Sequence, residues 1–248
     1  MRFNVILILL FLICENVSAQ TDYKTAKVKC YNGFDGYTSG VGSKQCTPDY
    51  GLSGSSEILS HYAYRGLSYS GDHPSIVSSF LYNFGAQFKI GAWGANLNLP
   101  DSNLWLKFVS EIQLKFADHH DVTVFIHRDY FYSNGDRNGT EIGINYFFLE
   151  NYYMGLSTRD NFEGTKTSAE YLTFAYTSRF TKDFSFSYKL GYTSQHSQAL
   201  TNYFNAKIAL SYEMLTSTLE TGLTDMTAKD KYSQKAEPHL YASILAYY

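Results

Sequence analysis

The 248-residue chain combines 23 Tyr, 18 Phe and 18 Gly with 4 Pro, so that 17% of it is aromatic, yet its mean hydropathy is -0.26. That is too polar for a bundle of membrane helices and too aromatic for an ordinary water-soluble secreted domain, whereas a closed β-barrel with alternate residues facing lipid and a polar interior reconciles the two. The formal net charge of -3 and the lack of a basic stripe exclude a nucleic-acid partner.

The first predicted element is "MRFNVILILLFLICENVSAQ", with Arg2, an apolar run from Val5 to Ile13 and the small residues Val17, Ser18 and Ala19. This is the pattern of a secretory signal peptide over 1–19, cleaved after Ala19. The run is too short to span a bilayer as a helix, which takes about 20 residues. Large Leu12 and Ile13 before Cys14 argue against a lipoprotein cleavage box.

Residues 20–53 read as a periplasmic segment before the barrel, rich in Gly, Lys, Thr and Tyr. After signal removal, Cys30 and Cys46 of "CYNGFDGYTSGVGSKQC" are the available pair, and an oxidising compartment makes a disulfide between them the expectation. Closing a loop of that size is worth roughly 3 kcal/mol in the chain-entropy model. The spacing fits no zinc or CxxC pattern, and no metal site and no cofactor are read from the sequence.

From 54 to 248, segments of about ten alternating residues are separated by turn chemistry, the signature of a transmembrane barrel. They fall near 55–66, 74–84, 86–96, 103–117, 121–132, 140–149, 151–159, 167–180, 183–194, 202–214, 216–225 and 237–248. The clearest is "DFSFSYKLGYTSQ", where Phe184, Phe186, Tyr188, Leu190 and Tyr192 alternate with Ser185, Ser187, Lys189, Gly191 and Thr193. Apolar residues at every second position would wrap all round a helix, so these are strands. The fold is all-β, a transmembrane antiparallel up-and-down barrel of about 12 strands. Connections alternate long ("LSYSGDH", "LNLPDSN", "SNGDRNG", "DNFEGTKT", "SQHSQAL", "MTAKDKYSQKA") and short ("FGA", "ADHH", "EN", "TKD", "LTS"), as long external loops and short periplasmic turns do. The prolines avoid strand interiors, with Pro74 and Pro238 at strand starts and Pro100 in a loop.

The last strand carries Leu240, Ala242, Ile244, Ala246 and Tyr248 on one apolar face and must pair with the first to close the barrel, since an open sheet edge is not viable in hydrocarbon. A terminal aromatic on such a strand resembles the insertion signal read by the outer-membrane assembly machinery.

Alternation places Lys89, Lys107, Glu111, Gln113, Lys115, Asp129, Glu141, Arg159, Lys189, Lys207 and Glu220 on the lumen side. These charges either pair across the lumen as bracing or line a water path and set its selectivity. Twelve strands lie between filled eight-stranded barrels and open sixteen-stranded ones, so a narrow or partly plugged pore is expected. Tyr62, Tyr64, Tyr82, Phe84, Tyr130, Tyr146, Phe148, Tyr152, Phe180 and Tyr248 fit interfacial girdles, with Trp93 and Trp105 as further anchors. There is no GxSxG, HExxH or phosphate loop, and the chain reads as a non-enzyme. "DHHD", Asp118 to Asp121, reads as a solvated turn with a cation site as the alternative.

At "SHYAYRGLSYSGDHPS" followed by "GAWGANLNLP" the sequence resembles the TorF-like porins, also catalogued as the Gcw_chp proteins of unknown function. Ser60, Tyr62, Arg65, Gly66, Ser68, Pro74, Trp93, Gly94 and Asn96 match that family's pattern; Ala95 and the cysteine-bearing leader depart from it. The resemblance is concentrated over 57–100. It implies an outer-membrane barrel of a Gram-negative bacterium, embedded in lipid and passing small hydrophilic solutes by diffusion. It also suggests Arg65 as a lumen cation at the end of the first strand. A non-conducting barrel that binds a partner through its external loops and a lipid-modifying barrel enzyme are the alternatives.

Overall fold

The computed structural model describes residues 28–33, 43–48, 50–85, 87–117, 120–133, 135–149, 151–214, 217–228, 232 and 236–248. The expected signal peptide, 1–19, and most of the segment expected before the barrel lie outside them. The leader contributes a backbone hairpin of Val28–Gly33 and Ser43–Pro48, whose register sets Cys30 opposite Cys46.

Twelve antiparallel strands form one closed barrel: β1 Tyr50–Leu59, β2 Ser75–Phe84, β3 Phe88–Leu99, β4 Ser102–Ala117, β5 His120–Tyr132, β6 Gly139–Phe148, β7 Tyr152–Arg159, β8 Ala169–Arg179, β9 Phe184–Gln195, β10 Tyr203–Glu213, β11 Ser217–Met226 and β12 His239–Tyr247. Each pairs with its neighbour in sequence, and β12 returns to β1 with Ser243 opposite Leu59 and Tyr247 opposite Ser55. Reciprocal backbone bonds between Gly54 and Tyr248, 2.7 and 3.0 Å, extend that seam to the last residue. The closed ladder is what strand-forming side chains with a period of two require when one face is to be wetted by lipid.

The outward face is the apolar one. Leu52, Ile58, Phe80, Phe108, Ile126, Leu156, Leu190, Phe204, Leu240 and Ile244 are all exposed on it. At the rim with the short turns, aromatic rings follow one another around the barrel, among them Tyr82, Phe84 and Phe88, then Phe148, Tyr152 and Tyr176, then Phe180, Phe184 and Tyr212. Many inward residues are small or polar: Ser55 bonds Ser79 at 2.8 Å and Asn83 bonds Ser53 at 3.0 Å.

Three sequence expectations change. The barrel begins at Tyr50 and not at 54, and β1 ends at Leu59 and not near 66. "LNLPDSN" is no long loop: β3 and β4 run on until only Pro100 and Asp101 separate them, a tight connection that proline favours. Tyr62, Tyr64, Trp93 and Trp105 are not girdle residues. All but Tyr64 are buried, and all four belong to an aromatic cluster inside the barrel.

Candidate functional site

The connection between β1 and β2, residues 60–74, does not project from the rim but folds into the lumen. Its root is fixed at the seam, where Ser60 accepts a bond from the Ala242 backbone at 2.9 Å and its own N–H donates to the Ala242 carbonyl at 2.8 Å. Beyond it, Tyr62 and Tyr69 are joined by a backbone bond of 2.9 Å, and Ala63 and Tyr64 pair with Ser68 and Leu67. The two residues between, Arg65 at φ 53 and Gly66 at φ 82, both have positive φ, as a two-residue I′ loop demands. "YRGL" is therefore a hairpin tip, and Arg65 sits at that tip and not at a strand end.

The tip reaches the far wall. Arg65 Nη2 donates to Glu141 Oε1 on β6 at 2.6 Å and to Ser157 on β7 at 3.0 Å, and its guanidinium lies 4.3 Å from the centre of the Tyr171 ring on β8. Gly66 meets β10 and β11: a Cβ there would lie 2.7 Å from Asn205 Cβ and 3.2 Å from Met226 Cβ. Side chains larger than hydrogen cannot occupy that approach, so Gly66 is required by both its φ and its surroundings.

Under the hairpin lies an aromatic floor. Tyr64 meets Trp105 edge-on at 4.9 Å, Trp105 meets Trp93 at 4.9 Å and stacks on Phe131 at 5.1 Å. Lys107 Nζ sits 4.9 Å from the Trp105 ring and 5.4 Å from Trp93, a contact geometry in which a ring face replaces part of an ammonium's hydration. Trp105 donates to Asp129 at 2.9 Å, and Asp129 pairs with Arg159 at 3.3 Å. Above them Arg137 bridges Asp101 at 2.7 Å and Glu163 at 2.6 Å, and Tyr69 donates its hydroxyl to Glu163. Burial, with the Glu163 charge behind it, pushes the Tyr69 hydroxyl well above its usual range, so it stays a donor.

A second charged group lies between the hairpin and the short-turn rim. Lys207 pairs with Glu220 at 3.4 Å and lies 4.4 Å from the Tyr241 ring, while Tyr241 and Ser211 donate to Glu220 at 2.6 and 2.9 Å. Lys189 stands opposite Lys207 in the β9–β10 register. His127 approaches Glu111 at 3.7 Å. Lys89 is opposite Glu111 in register, nearer the rim, and Lys115 is exposed at the rim opposite Asp121. The charges expected inside thus form separate groups and not one ring.

Sequence reasoning missed Tyr171 and Ser157, which receive Arg65, and the pairing of Arg137 with Glu163. It also missed a group at the seam, where His61 and His239 stack at 3.8 Å beside Asp72. Burial, reinforced by His239 and opposed by Asp72, lowers the His61 pKa to about 4. In "DHHD", Asp118 and His119 lie outside the described residues, and His120 contacts the Tyr146 hydroxyl at 2.6 Å.

A family model described as "Bacterial protein of unknown function (Gcw_chp)" matches residues 43–236. Among solved structures, a KdgM porin aligns with a TM-score of 0.56 at 13% identity over 78% of this chain and 98% of its own. A NanC porin aligns at 0.56 and 11%, over 79% of this chain and 99% of its own. A KdgM porin in complex with disordered oligogalacturonate aligns at 0.53 and 12%, over 79% and 97%. No curated protein matches the chain. At these identities the likeness is one of fold.

Proposed function

The chain belongs to the Gcw_chp family of bacterial proteins of unknown function, and from that premise we propose that it is a narrow outer-membrane channel for passive diffusion of small hydrophilic solutes. The observation that carries this reading is the inward hairpin: a closed barrel with an apolar exterior and a charged interior is narrowed at one level by a segment tied to the opposite wall through Arg65. Constriction by an ordered, charge-bearing segment gives a water path a selective point. Below it, Lys189, Lys207 and Glu220 face the path and substitute for part of a solute's hydration. A neighbour of the same fold, the KdgM porin, is described with a disordered oligogalacturonate, a hydrophilic solute of the class proposed.

In this reading the protein reaches the outer membrane of a Gram-negative bacterium after loss of residues 1–19. The assembly machinery reads the outward Leu240, Ala242, Ile244, Ala246 and Tyr248, and Cys30–Cys46 staples the leader hairpin. The short-turn rim is periplasmic and the rim bearing the root of residues 60–74 is external. Loops held inward by Arg137, Glu163 and Tyr69 suit a channel mouth better than a docking surface, and no catalytic step is invoked.

The test is single-channel conductance of the folded mature protein in a planar bilayer, beside a variant in which residues 63–68 are replaced by a two-residue turn. Small steps in the first and larger steps in the second are expected. Silence from both, in protein shown to be folded, would overturn the proposal.

A further inference from the structure

We infer that His61, Asp72 and His239 form a binding site for one divalent transition-metal ion of the zinc class, joining the root of the inward loop to the last strand. The site stands apart from the lumen charges and does not depend on whether the barrel conducts.

Three separate segments build it. His61 follows β1, where the paired bonds of Ser60 and Ala242 fix the backbone against β12. His239 is the first residue of β12 and faces inward, in phase with Tyr241 and Ser243. Asp72 lies in the return limb of the loop at φ 63, directly after Gly71 at φ 55. That turn is held by bonds from Gly71 N–H to the Ser68 hydroxyl at 3.1 Å and from His73 N–H to the Ser70 carbonyl at 3.1 Å. The loop thereby delivers a carboxylate to two imidazoles from a part of the chain that neither strand contains.

The distances suit a metal. Asp72 Oδ1 is 3.5 Å from His61 Nδ1 and 3.1 Å from His239 Nδ1, and one ligand atom from each residue lies within 4.8 Å of the others. In a tetrahedral site with bonds of about 2.1 Å, ligand atoms stand about 3.4 Å apart. The rings are nearly parallel, at 18°. Because the His χ2 torsion is soft, each ring can turn toward a shared ion without backbone movement.

The polar accounting points the same way. His61 is 4% exposed and His239 8% exposed, yet both ring nitrogens of His61 and Nε2 of His239 have no hydrogen-bond partner. Two adjacent buried imidazoles with unmet nitrogens are costly in a folded protein, and an ion bound between them converts that cost into coordination. The donor set selects the ion: two imidazoles and one carboxylate suit Zn²⁺, Cu²⁺ or Ni²⁺, whereas Ca²⁺ and Mg²⁺ take all-oxygen shells. The exposed side of Asp72, whose side chain is 79% exposed, leaves a path for entry and room for a water as fourth ligand.

The experiment is competition between the full mature chain, folded in detergent and free of any histidine tag, and a chromophoric chelator for Zn²⁺. One Zn²⁺ per chain is expected, with affinity at least about tenfold weaker in His239→Gln and in His61→Gln. Should either fail to fold, Asp72→Asn serves, because that side chain is exposed and its loss leaves the barrel wall intact; the same weakening is expected. A folded chain that binds no Zn²⁺ overturns the inference. So does unchanged affinity in the three variants, and so does binding that survives them but disappears in His119→Gln/His120→Gln, which places the ion at the short turn.

Discussion

Breaking the Arg65–Glu141 pair should release the hairpin from the far wall. Both side chains are nearly buried, 4% and 7% exposed, with Nη2 and Oε1 at 2.6 Å. With charge centres about 4 Å apart and an effective dielectric near 20, their attraction is about 4 kcal/mol. Removing one member strands the other, at a cost of about 3–5 kcal/mol. Arg65→Ala leaves the Glu141 carboxylate with the Tyr64 hydroxyl at 3.0 Å. Glu141→Ala leaves the guanidinium with Ser157 and the Tyr171 ring. The double variant leaves neither charge, so its loss should fall short of the sum of the singles by about 2–3 kcal/mol.

Urea titration of the folded barrel measures these terms through tryptophan emission. The chain has 2 Trp, and both Trp93 and Trp105 are buried in the floor beneath the hairpin, so the signal comes from the place perturbed. A coupling below about 0.5 kcal/mol, together with unchanged emission in both single variants, would show that the hairpin is held by apolar packing alone and refute the pin.

Lys189→Glu turns a half-buried cation opposite Lys207 into a carboxylate; the reversal potential under a salt gradient should move toward cation preference, and no movement would remove Lys189 from the path. Gly91→Ala drives a Cβ into the Phe80 carbonyl and places it 2.8 Å from Leu81 Cα, both backbone, so the β2–β3 pair must part. A loss of about 1–3 kcal/mol in urea is expected, and an unaltered midpoint would contradict the close approach. Removing Tyr248 deletes its two backbone bonds to Gly54 and a ring contact with Phe80 at 5.6 Å. At about 1 kcal/mol per bond and a similar amount for the ring pair, the loss should be about 2–3 kcal/mol, and full stability would show that the seam closes without its last residue.

Strand positions were legible because a period of two survives every local irregularity, and eleven of the twelve predicted segments overlap their strands closely. The first strand was displaced because "HYAYRGLSY" also alternates: the pattern is that of a real hairpin, but one pointing inward, and periodicity does not reveal where a loop is aimed. Trp93 and Trp105 were legible in principle. Trp93 shares the phase of Lys89, and Trp105 that of Lys107 and Glu111, so lysines placed inside carry the tryptophans inside with them; aromatic composition suggested the membrane rim instead. The seam group was not legible at all, because His61 and His239 are brought together only by closure of the ring.

The width of the barrel explains why such a hairpin exists. An eight-stranded wall fills its own interior with side chains, whereas twelve strands leave a gap that wall residues cannot bridge. Large aromatics such as Trp105 and Phe131 would then face water on the inside, and the inward loop gives them apolar partners in Leu67, Tyr64 and Tyr69. Irregular backbone at that depth is tolerable only where its polar groups are met or wetted. The pairing of Ala63–Tyr64 with Leu67–Ser68 meets them locally, as does the Ser70 hydroxyl accepting from Tyr62 N–H at 2.8 Å. The segment is then held at three places: its root by Ser60 and Ala242, its return limb by Asn98 N–H donating to the Tyr69 carbonyl at 2.9 Å, and its tip by Arg65. In the proposed channel Arg65 is therefore the contact that sets the tip against the far wall, and Glu141, Ser157 and Tyr171 belong to the proposed constriction as much as the hairpin itself.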